Sequence, residues 1–234
     1  MQISKDQRRF INSVLSIFET GRLPDTKSYK TISILADGAG FSYGKHQSTD
    51  GSGSLDMIVN EYVQNNGIYA KEIAKHVISL SNNESTRFSS LSKASAGIKE
   101  LADLLSKAGE DEVMQRAQDK VFETNYYIPA LNQAENAGCS LAISMLVLYD
   151  TSIHSGPGRI ATHRNSFSYK SPRNGGNEIE WLKHYLNARD SFLMRSSNPL
   201  VRTSAYRVRE LRKLLDANNY NLVAPAVVRG VTIY

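Results

Sequence analysis

Residues 138–153 (GCSLAISMLVLYDTSI) are the most apolar stretch of the chain and the one that most limits how it can fold. Apolar side chains lie on every side of a helix built from this stretch, so other elements have to surround it. It is shorter than the eighteen or so apolar residues that a membrane-spanning helix needs. We therefore predict a central buried helix here, in which Asp150 and its polar neighbours need partners.

The remaining sequence is patterned mainly for helices. Ser4 to Phe18 has the i, i+3/i+4 apolar spacing of a helix on a core, with Ser4 as its N-cap and Gly21 as its stop. Thr31 to Ala36 is a short β-prone run. We predict one unit of the α+β class, predominantly α-helical, with a small β element near the N-terminus. Further along the chain we expect a long loop over 155–177, a single basic helix over 202–215 and an extended C-terminal tail.

The charge balance narrows the choice of partner. The 234 residues carry 28 Lys and Arg against 23 Asp and Glu, a formal net charge of +5. This surplus favours a polyanionic partner, which could be nucleic acid, an acidic membrane surface or an acidic glycan. The arginine-rich segment near the C-terminus lacks interleaved exposed aromatic residues and matches no DNA-reading motif, so nucleic acid ranks last. No membrane insertion is expected.

Motifs for several kinds of chemistry are absent. The chain has no P-loop, no G-x-G-x-x-G, no H-E-x-x-H and no G-x-S-x-G segment, and its five histidines are scattered. Cys139 is the only cysteine and is expected to be a buried structural thiol. We expect no metal and no cofactor. The first residues, MQISKDQRRF, lack the apolar region of a secretory signal, so we expect cytoplasmic synthesis, unless a signal has been removed.

Two carboxylates stand where secondary structure is predicted to end. Glu19 falls at the end of the first helix, and Asp37 follows the β-prone run. A pair of this kind suits a glycosidase, in which one carboxyl acts as an acid and the other as a base. A solvated surface Glu and an Asp-Gly turn are the simpler alternatives. The loop over 44–54 is rich in Gly and Ser, and we expect His46 and Gln47 in this loop, and Tyr43 just before it, to contact substrate.

Five segments resemble, in order, the glycoside hydrolase family 46 chitosanases of the lysozyme-like superfamily. The first is the helix that ends in Glu19, and the second is DGAGFS, which begins at Asp37, eighteen residues later. The other three are AQDKVFETNYYIPALNQAENAG, LYDTSIHSGPG and GGNEIEWLKHYLNARDSF. The resemblance covers most of the chain. It implies a lysozyme-like fold with two lobes around one cleft, the β element flanking that cleft, and residues 1–234 as a single catalytic domain.

The resemblance also assigns roles to residues of this chain. Glu19 matches the general acid and Asp37 the general base of an inverting mechanism, and Ser42 matches a hydroxyl that helps to hold the attacking water. Asp56 matches an acidic substrate-binding position. A buried ion-pair network that supports the acid is implied for Asp150, Arg189 and a second arginine. For that arginine Arg202 is the first choice and Arg207 the alternative, because the region aligns only with a gap.

The positions at which this sequence differs from the family pattern suggest which substrate to expect. Chitosan is a polycation, whereas this chain is basic, has Ala39 where the family commonly has arginine, and has few acids over 195–201. We therefore expect an endo-acting enzyme that cleaves peptidoglycan, such as a phage endolysin or a virion-associated lysozyme with phage proteins as partners. Chitosan hydrolysis is the alternative. A non-catalytic wall-binding or virion structural protein is the alternative from another class.

Overall fold

The computed structural model describes residues 1–34, 41–49, 52–81 and 96–234. The fold is α+β and predominantly α-helical, as predicted. The helices are α1 Lys5–Thr20, α2 Ser54–Gln64, α3 Ala70–Ser81, α4 Ala96–Ala108, α5 Glu112–Phe122, α6 Ile128–Ala137, α7 Ala142–Ser155, α8 Gly158–Arg164, α9 Glu178–Met194, α10 Pro199–Thr203 and α11 Tyr206–Asp216. The strands are β1 Ile32–Ile34, β2 Phe41–Tyr43, β3 Ser48–Thr49, β4 Ala226–Val228 and β5 Val231–Ile233. Short 3-10 turns at Thr26–Lys30 and Pro172–Asn174 and a π-helical turn at Glu123–Tyr127 complete the described elements.

The chain divides into two compact units. We call residues 1–23 with 124–234 the larger unit, and residues 24–123 the inserted unit. The larger unit contains α1, α6 to α11 and the β4–β5 hairpin. The inserted unit contains the three-stranded sheet and α2 to α5. Among the described residues, no helix is both long enough and apolar enough to cross a bilayer.

Helix α7 lies at the centre of the larger unit, as its composition predicts. Every residue from Ala142 to Ser152 is buried, including the polar Asp150. Its hydrophobic side chains belong to one core that also includes residues of α1, α9 and α11. Cys139 is 5% exposed, and burial raises the pKa of its thiol to about 12. It is therefore the structural thiol expected from the sequence.

Helix α1 begins and ends at the predicted residues. The Ser4 hydroxyl accepts from the Gln7 amide, and the Gln7 side chain accepts from the Ser4 amide, so both halves of a capping box are present. At the other end Gly21 adopts φ 76°, a left-handed conformation that terminates the helix, and its N–H donates to the Ile17 carbonyl. These two ends place Glu19 in the last turn.

In the inserted unit, β1, β2 and β3 form an antiparallel sheet in that order. Ser42 pairs with Ser33 on one side and Thr49 on the other. Tyr43, the next residue of this middle strand, pairs with Ile32 and Ser48. The predicted strand over 31–36 is present as β1, and its last residues lie outside the described ranges.

Three expectations for the larger unit were wrong or incomplete. The expected loop over 155–177 contains α8, because Pro157 and Gly158 start a helix rather than interrupt one. The expected single basic helix is split into α10 and α11, and the Ser204 hydroxyl donates to the Val201 carbonyl where α10 ends. The tail is the β4–β5 hairpin, whose Arg229-Gly230 turn has φ values of 49° and 80°.

Candidate functional site

Glu19 is held at the end of α1 by an arginine from α11. The Glu19 side chain is 16% exposed, and its Oε1 lies 2.5 Å from Nη2 of Arg207. Arg207 itself is almost fully buried, with a side chain that is 5% exposed. The carboxylate is therefore partly exposed to solvent, and a charge-assisted hydrogen bond from the buried Arg207 fixes its orientation.

The same arginine also contacts a second carboxylate, which lies in the core. Arg207 Nη1 donates to Oδ1 of Asp150 at 2.7 Å, and Asp150 Oδ2 forms an ion pair with Arg189 Nη2 at 2.7 Å. The side chains of Asp150 and Arg189 are completely buried. Because buried charges are costly unless they are paired, two carboxylates alternating with two guanidinium groups form a balanced set. We call Glu19, Arg207, Asp150 and Arg189 the ion-pair chain.

The charges of the ion-pair chain shift the pKa values of Asp150, which belongs to it, and of the neighbouring His154. Burial alone would raise the pKa of Asp150, but Arg189 and Arg207 outweigh it and hold the pKa below its ordinary value. Burial, reinforced by the positive charge of Arg207, lowers the pKa of His154 to about 4. At neutral pH the centre of this unit therefore contains an ionised Asp150 and a neutral His154.

The backbone that carries Glu19 is held by the residue next to Arg207. The Tyr206 hydroxyl donates to the Phe18 carbonyl at 2.6 Å, and the two rings meet edge to face with centroids 5.8 Å apart. The guanidinium of Arg229, at the tip of the hairpin, lies over the Tyr206 ring, 4.2 Å from its centroid. A carbonyl in the last turn of a helix has no partner within that helix, and Tyr206 supplies one. The sequence offered no signal for this contact.

The arginine assignment made from the sequence is corrected from Arg202 to its alternative, Arg207. Arg202 Nη1 donates to the carbonyls of Ser196 and Ser197, at 2.7 and 3.0 Å, and so satisfies backbone acceptors just after α9. The break between α10 and α11 is the physical reason, because it places Arg202 and Arg207 on different helices. Asp150 and Arg189 lie together, as the resemblance implies.

The inserted unit holds the other predicted site residues. Ser42 is 5% exposed, and its hydroxyl donates to Gln47 Oε1 at 2.8 Å. Tyr43 is fully buried in the middle strand, so the expected substrate contact is corrected to a core role. His46 is 8% exposed and stacks on Phe122, with ring centroids 4.1 Å apart. Asp37 lies outside the described residues.

Asp56 lies in the first turn of α2 and is half-buried. Its Oδ1 accepts a hydrogen bond from Asn60 Nδ2 at 3.0 Å, one helical turn further on. An acidic side chain in the first turn of a helix lies near the positive end of the helix dipole, where it is stabilising. Asp56 is therefore suited to attract a cationic group. Over 1–34, 41–49, 52–81 and 96–234, no three His, Cys, Asp or Glu side chains come together as a metal site.

Comparisons with known proteins show which family the chain belongs to. A family model described as glycosyl hydrolase family 46 matches residues 13–226. A chitosanase of Bacillus subtilis (strain 168) is 32% identical over 97% of this chain and 83% of its own length. The crystal structure of native chitosanase from Bacillus subtilis MY002 covers all of both chains, with a TM-score of 0.86 and 28% identity. A mutant of that enzyme complexed with 6 GlcN covers 97% of this chain and 95% of its own, with a TM-score of 0.83 and 29% identity. The chain described here belongs to glycoside hydrolase family 46, and it is a glycoside hydrolase with the α+β fold of the chitosanases.

Proposed function

We propose that this protein is an endo-acting chitosanase that cleaves β-1,4 linkages between glucosamine units with inversion, and that residues 1–234 work as a single catalytic domain. The observation that carries the proposal is the ion-pair chain, which positions a partly exposed Glu19 in a family 46 chain. A solvated surface glutamate would not need a buried arginine shared with a second carboxylate.

The proposed reaction uses two carboxyl groups. Protonated Glu19 donates its proton to the glycosidic oxygen as the bond from that oxygen to the anomeric carbon breaks. A water molecule attacks the anomeric carbon from the opposite face of the ring, and Asp37 accepts the proton that the water loses. Ser42 holds this water by a hydrogen bond. The role of Asp37 follows from the resemblance of the DGAGFS segment.

Chitosan is favoured over the peptidoglycan expected from the sequence. The curated relative and the solved structures reported above are chitosanases, and one of them holds 6 GlcN. The net charge of +5 that favoured an anionic polymer is a sum over the whole chain. Binding of a glucosamine unit depends on local carboxylates, of which Asp56 is one. The expected phage lysin with phage partners has no support from these relatives and is not carried forward.

A parallel digest tests the proposal. Purified protein is incubated with partly acetylated chitosan and, separately, with purified peptidoglycan, and the products are identified by mass spectrometry. We expect glucosamine oligomers from chitosan and no muropeptides with new reducing ends. Glu19→Gln is the control, because the amide has nearly the same shape but cannot donate the catalytic proton, and we expect it to lose at least a thousandfold in kcat.

Three outcomes would contradict the proposal. Muropeptides in place of glucosamine oligomers would show that the basic surface selects an anionic polymer after all. Turnover of chitosan by a folded Glu19→Gln variant at the wild-type rate would remove Glu19 from the role of acid. Absence of any product from either polymer would favour the non-catalytic binding protein.

A further inference from the structure

The Gln47 side chain is oriented by a backbone carbonyl. Gln47 Nε2 donates to the Gly44 carbonyl at 2.9 Å. A carbonyl oxygen can only accept, so the amide nitrogen rather than the amide oxygen has to face it. Gln47 Oε1 is thereby directed to its other neighbour, the Ser42 hydroxyl, at 2.8 Å. Ser42 has to donate in this contact, because an amide oxygen has no hydrogen to give.

The turn that carries Gln47 is itself held in place. Gly44 has φ 78° and its N–H donates to the Thr31 carbonyl at 2.8 Å, while Gln47 has φ 50°, which is uncommon for a residue with a side chain. The Gln118 side chain from α5 packs against this turn. Its Oε1 accepts from the Lys45 amide at 3.0 Å, and its Nε2 donates to the Tyr29 carbonyl at 2.8 Å. A Cβ at Gly44 would lie 2.2 Å from Gln118 Oε1 and would also be strained by the φ of 78°, so a larger residue there would displace Gln118.

The consequence concerns the proton of Ser42. A serine hydroxyl has one hydrogen to donate and two lone pairs that accept. Because Gln47 takes the hydrogen, only the lone pairs remain for a second partner. A water bound there has to donate one of its own hydrogens to Ser42. Its other hydrogen is then available to the base, and a lone pair of its oxygen is left for the anomeric carbon.

We propose that Gln47 is a positioning residue that makes Ser42 Oγ a hydrogen-bond acceptor for the attacking water, and so sets the direction in which the water lone pair points. The inference rests on the proposed function, whose mechanism requires such a water. It changes the sequence-based assignment of Gln47 from a substrate contact to a residue that acts through Ser42. Without Gln47 the Ser42 hydroxyl would rotate and could donate to the water or to the base, which would occupy the lone pair that the reaction uses.

Gln47→Met tests this idea, since methionine has nearly the same length, its sulfur is only a weak acceptor for Ser42, and it cannot donate to Gly44. Gln115→Met is the matched control, because Gln115 Nε2 makes the same kind of bond to the Gly109 carbonyl, at 3.1 Å, elsewhere in the inserted unit. Initial rates are measured on a glucosamine hexamer, and thermal unfolding is recorded for each variant. We expect Gln47→Met to lower kcat about tenfold or more while KM stays within about twofold, and Gln115→Met to leave both unchanged.

A double-mutant cycle with Ser42→Ala separates positioning from general damage to the fold. If Gln47 acts through Ser42, Gln47→Met should slow the Ser42→Ala enzyme little further, because residues that act as a unit are not additive. Gln47→Glu keeps an oxygen that accepts from Ser42, so its kcat should exceed that of Gln47→Met. If Gln47→Met unfolds, Gln47→Glu is compared with Ser42→Ala instead, and it should have the higher kcat.

Several results would overturn the inference. The first is a raised KM with unchanged kcat in Gln47→Met. The second is a double mutant whose loss in rate equals the product of the losses of Gln47→Met and Ser42→Ala. The third is a Gln47→Glu variant as slow as Gln47→Met. The wild-type measurement separates this inference from the proposed function. A wild-type protein that does not cleave the hexamer contradicts the proposed function, whereas an active wild type with an equally active Gln47→Met contradicts the role of Gln47 alone.

Discussion

Arg207 is the residue that joins the candidate acid to the core. Its guanidinium contacts Glu19 with one nitrogen and Asp150 with another, a geometry that the planar fork of arginine allows and that a lysine ammonium cannot reproduce. The resemblance identified Glu19, Asp150 and Arg189, because each lies in a segment with a recognisable motif. It could not choose between Arg202 and Arg207, because which of two nearby arginines faces the core depends on where one helix ends and the next begins.

Substitution of Arg207 should damage both stability and activity. Arg207→Met leaves two carboxylates without the cation that they share, and breaking a buried ion pair from one side costs about 3 kcal/mol in the free energy of unfolding. For a chain of this size, the loss corresponds to a decrease of about 6–12 °C in Tm. We also expect a decrease in kcat of at least tenfold, because Glu19 loses its fixed orientation.

Arg202→Met is the control for this prediction. It removes hydrogen bonds to two backbone carbonyls but leaves the ion-pair chain intact, so the cost should be about 1 kcal/mol. Thermal unfolding and chitosan turnover are measured for both variants. Equal Tm and equal kcat in Arg207→Met and Arg202→Met would show that the contacts of Arg207 with Glu19 and Asp150 have no consequence.

At the scale of elements, sequence reasoning succeeded where local chemistry defines an end and failed where packing does. Helix α1 has a capping box at Ser4 and a left-handed glycine at Gly21, and both are readable from the sequence. The all-round apolar composition of α7 likewise predicts its burial. By contrast, α8 follows a Gly- and Pro-containing segment that also suits a loop, and its burial of Ile160 and His163 within the larger unit is not visible in the sequence.

The end of α1 offers a test of how backbone conformation supports the site. A Cβ added at Gly21 would meet no atom within 4 Å, so any effect of Gly21→Ala has to come from φ 76° alone. A non-glycine residue in the left-handed region costs about 1 kcal/mol, and we expect the free energy of unfolding to fall by that amount. Chemical denaturation monitored by circular dichroism gives this value.

Gly158→Ala provides the comparison. Gly158 opens α8 with a φ outside the left-handed region, and a Cβ there would also meet nothing within 4 Å. Alanine should therefore be neutral or stabilise the protein by up to about 1 kcal/mol, because it restricts the unfolded chain. If both variants lose the same stability, the left-handed conformation is not what ends α1.

At the scale of the whole molecule, the net charge does not describe the local groups that recognise a substrate. The value of +5 is correct for the chain, yet it favoured an anionic polymer while the relatives are chitosanases. A net charge describes the field far from the protein, whereas recognition of a glucosamine unit depends on the few groups that touch it. The proposed substrate class therefore follows from the motifs that carry the resemblance and not from composition.

The stability of the protein should decrease as the pH falls from about 6.5 to about 4. Burial, with the charge of Arg207 at His154 and of Arg189 at His163, lowers the pKa of both histidines to about 4. In this window the unfolded chain takes up protons at these histidines and the folded protein does not, so protons favour unfolding. Asp150, whose pKa is also lowered, contributes stability that is lost only below about pH 4, outside the window.

His163→Phe tests this pH dependence. Phenylalanine can keep the edge-to-face contacts of His163 with Tyr185 and Phe192, and it removes a buried Nε2 that has no hydrogen-bond partner in the described part of the chain. The free energy of unfolding is measured at several pH values, and His184→Phe, at an exposed histidine, is the control. Between about pH 6.5 and about pH 4 we expect His163→Phe to lose about 1–3 kcal/mol less of this free energy than the wild type does, and His184→Phe to behave like the wild type. Parallel curves for His163→Phe and the wild type would contradict the assignment.

The most direct test of the account is the configuration of the first product. A glucosamine hexamer is mixed with the enzyme inside an NMR tube, and the anomeric protons of the new reducing ends are followed before they equilibrate. The account predicts that the α-anomer appears first, since a single displacement by water at a β-linkage inverts the anomeric carbon. Initial formation of the β-anomer, or an intact hexamer after prolonged incubation, would contradict it.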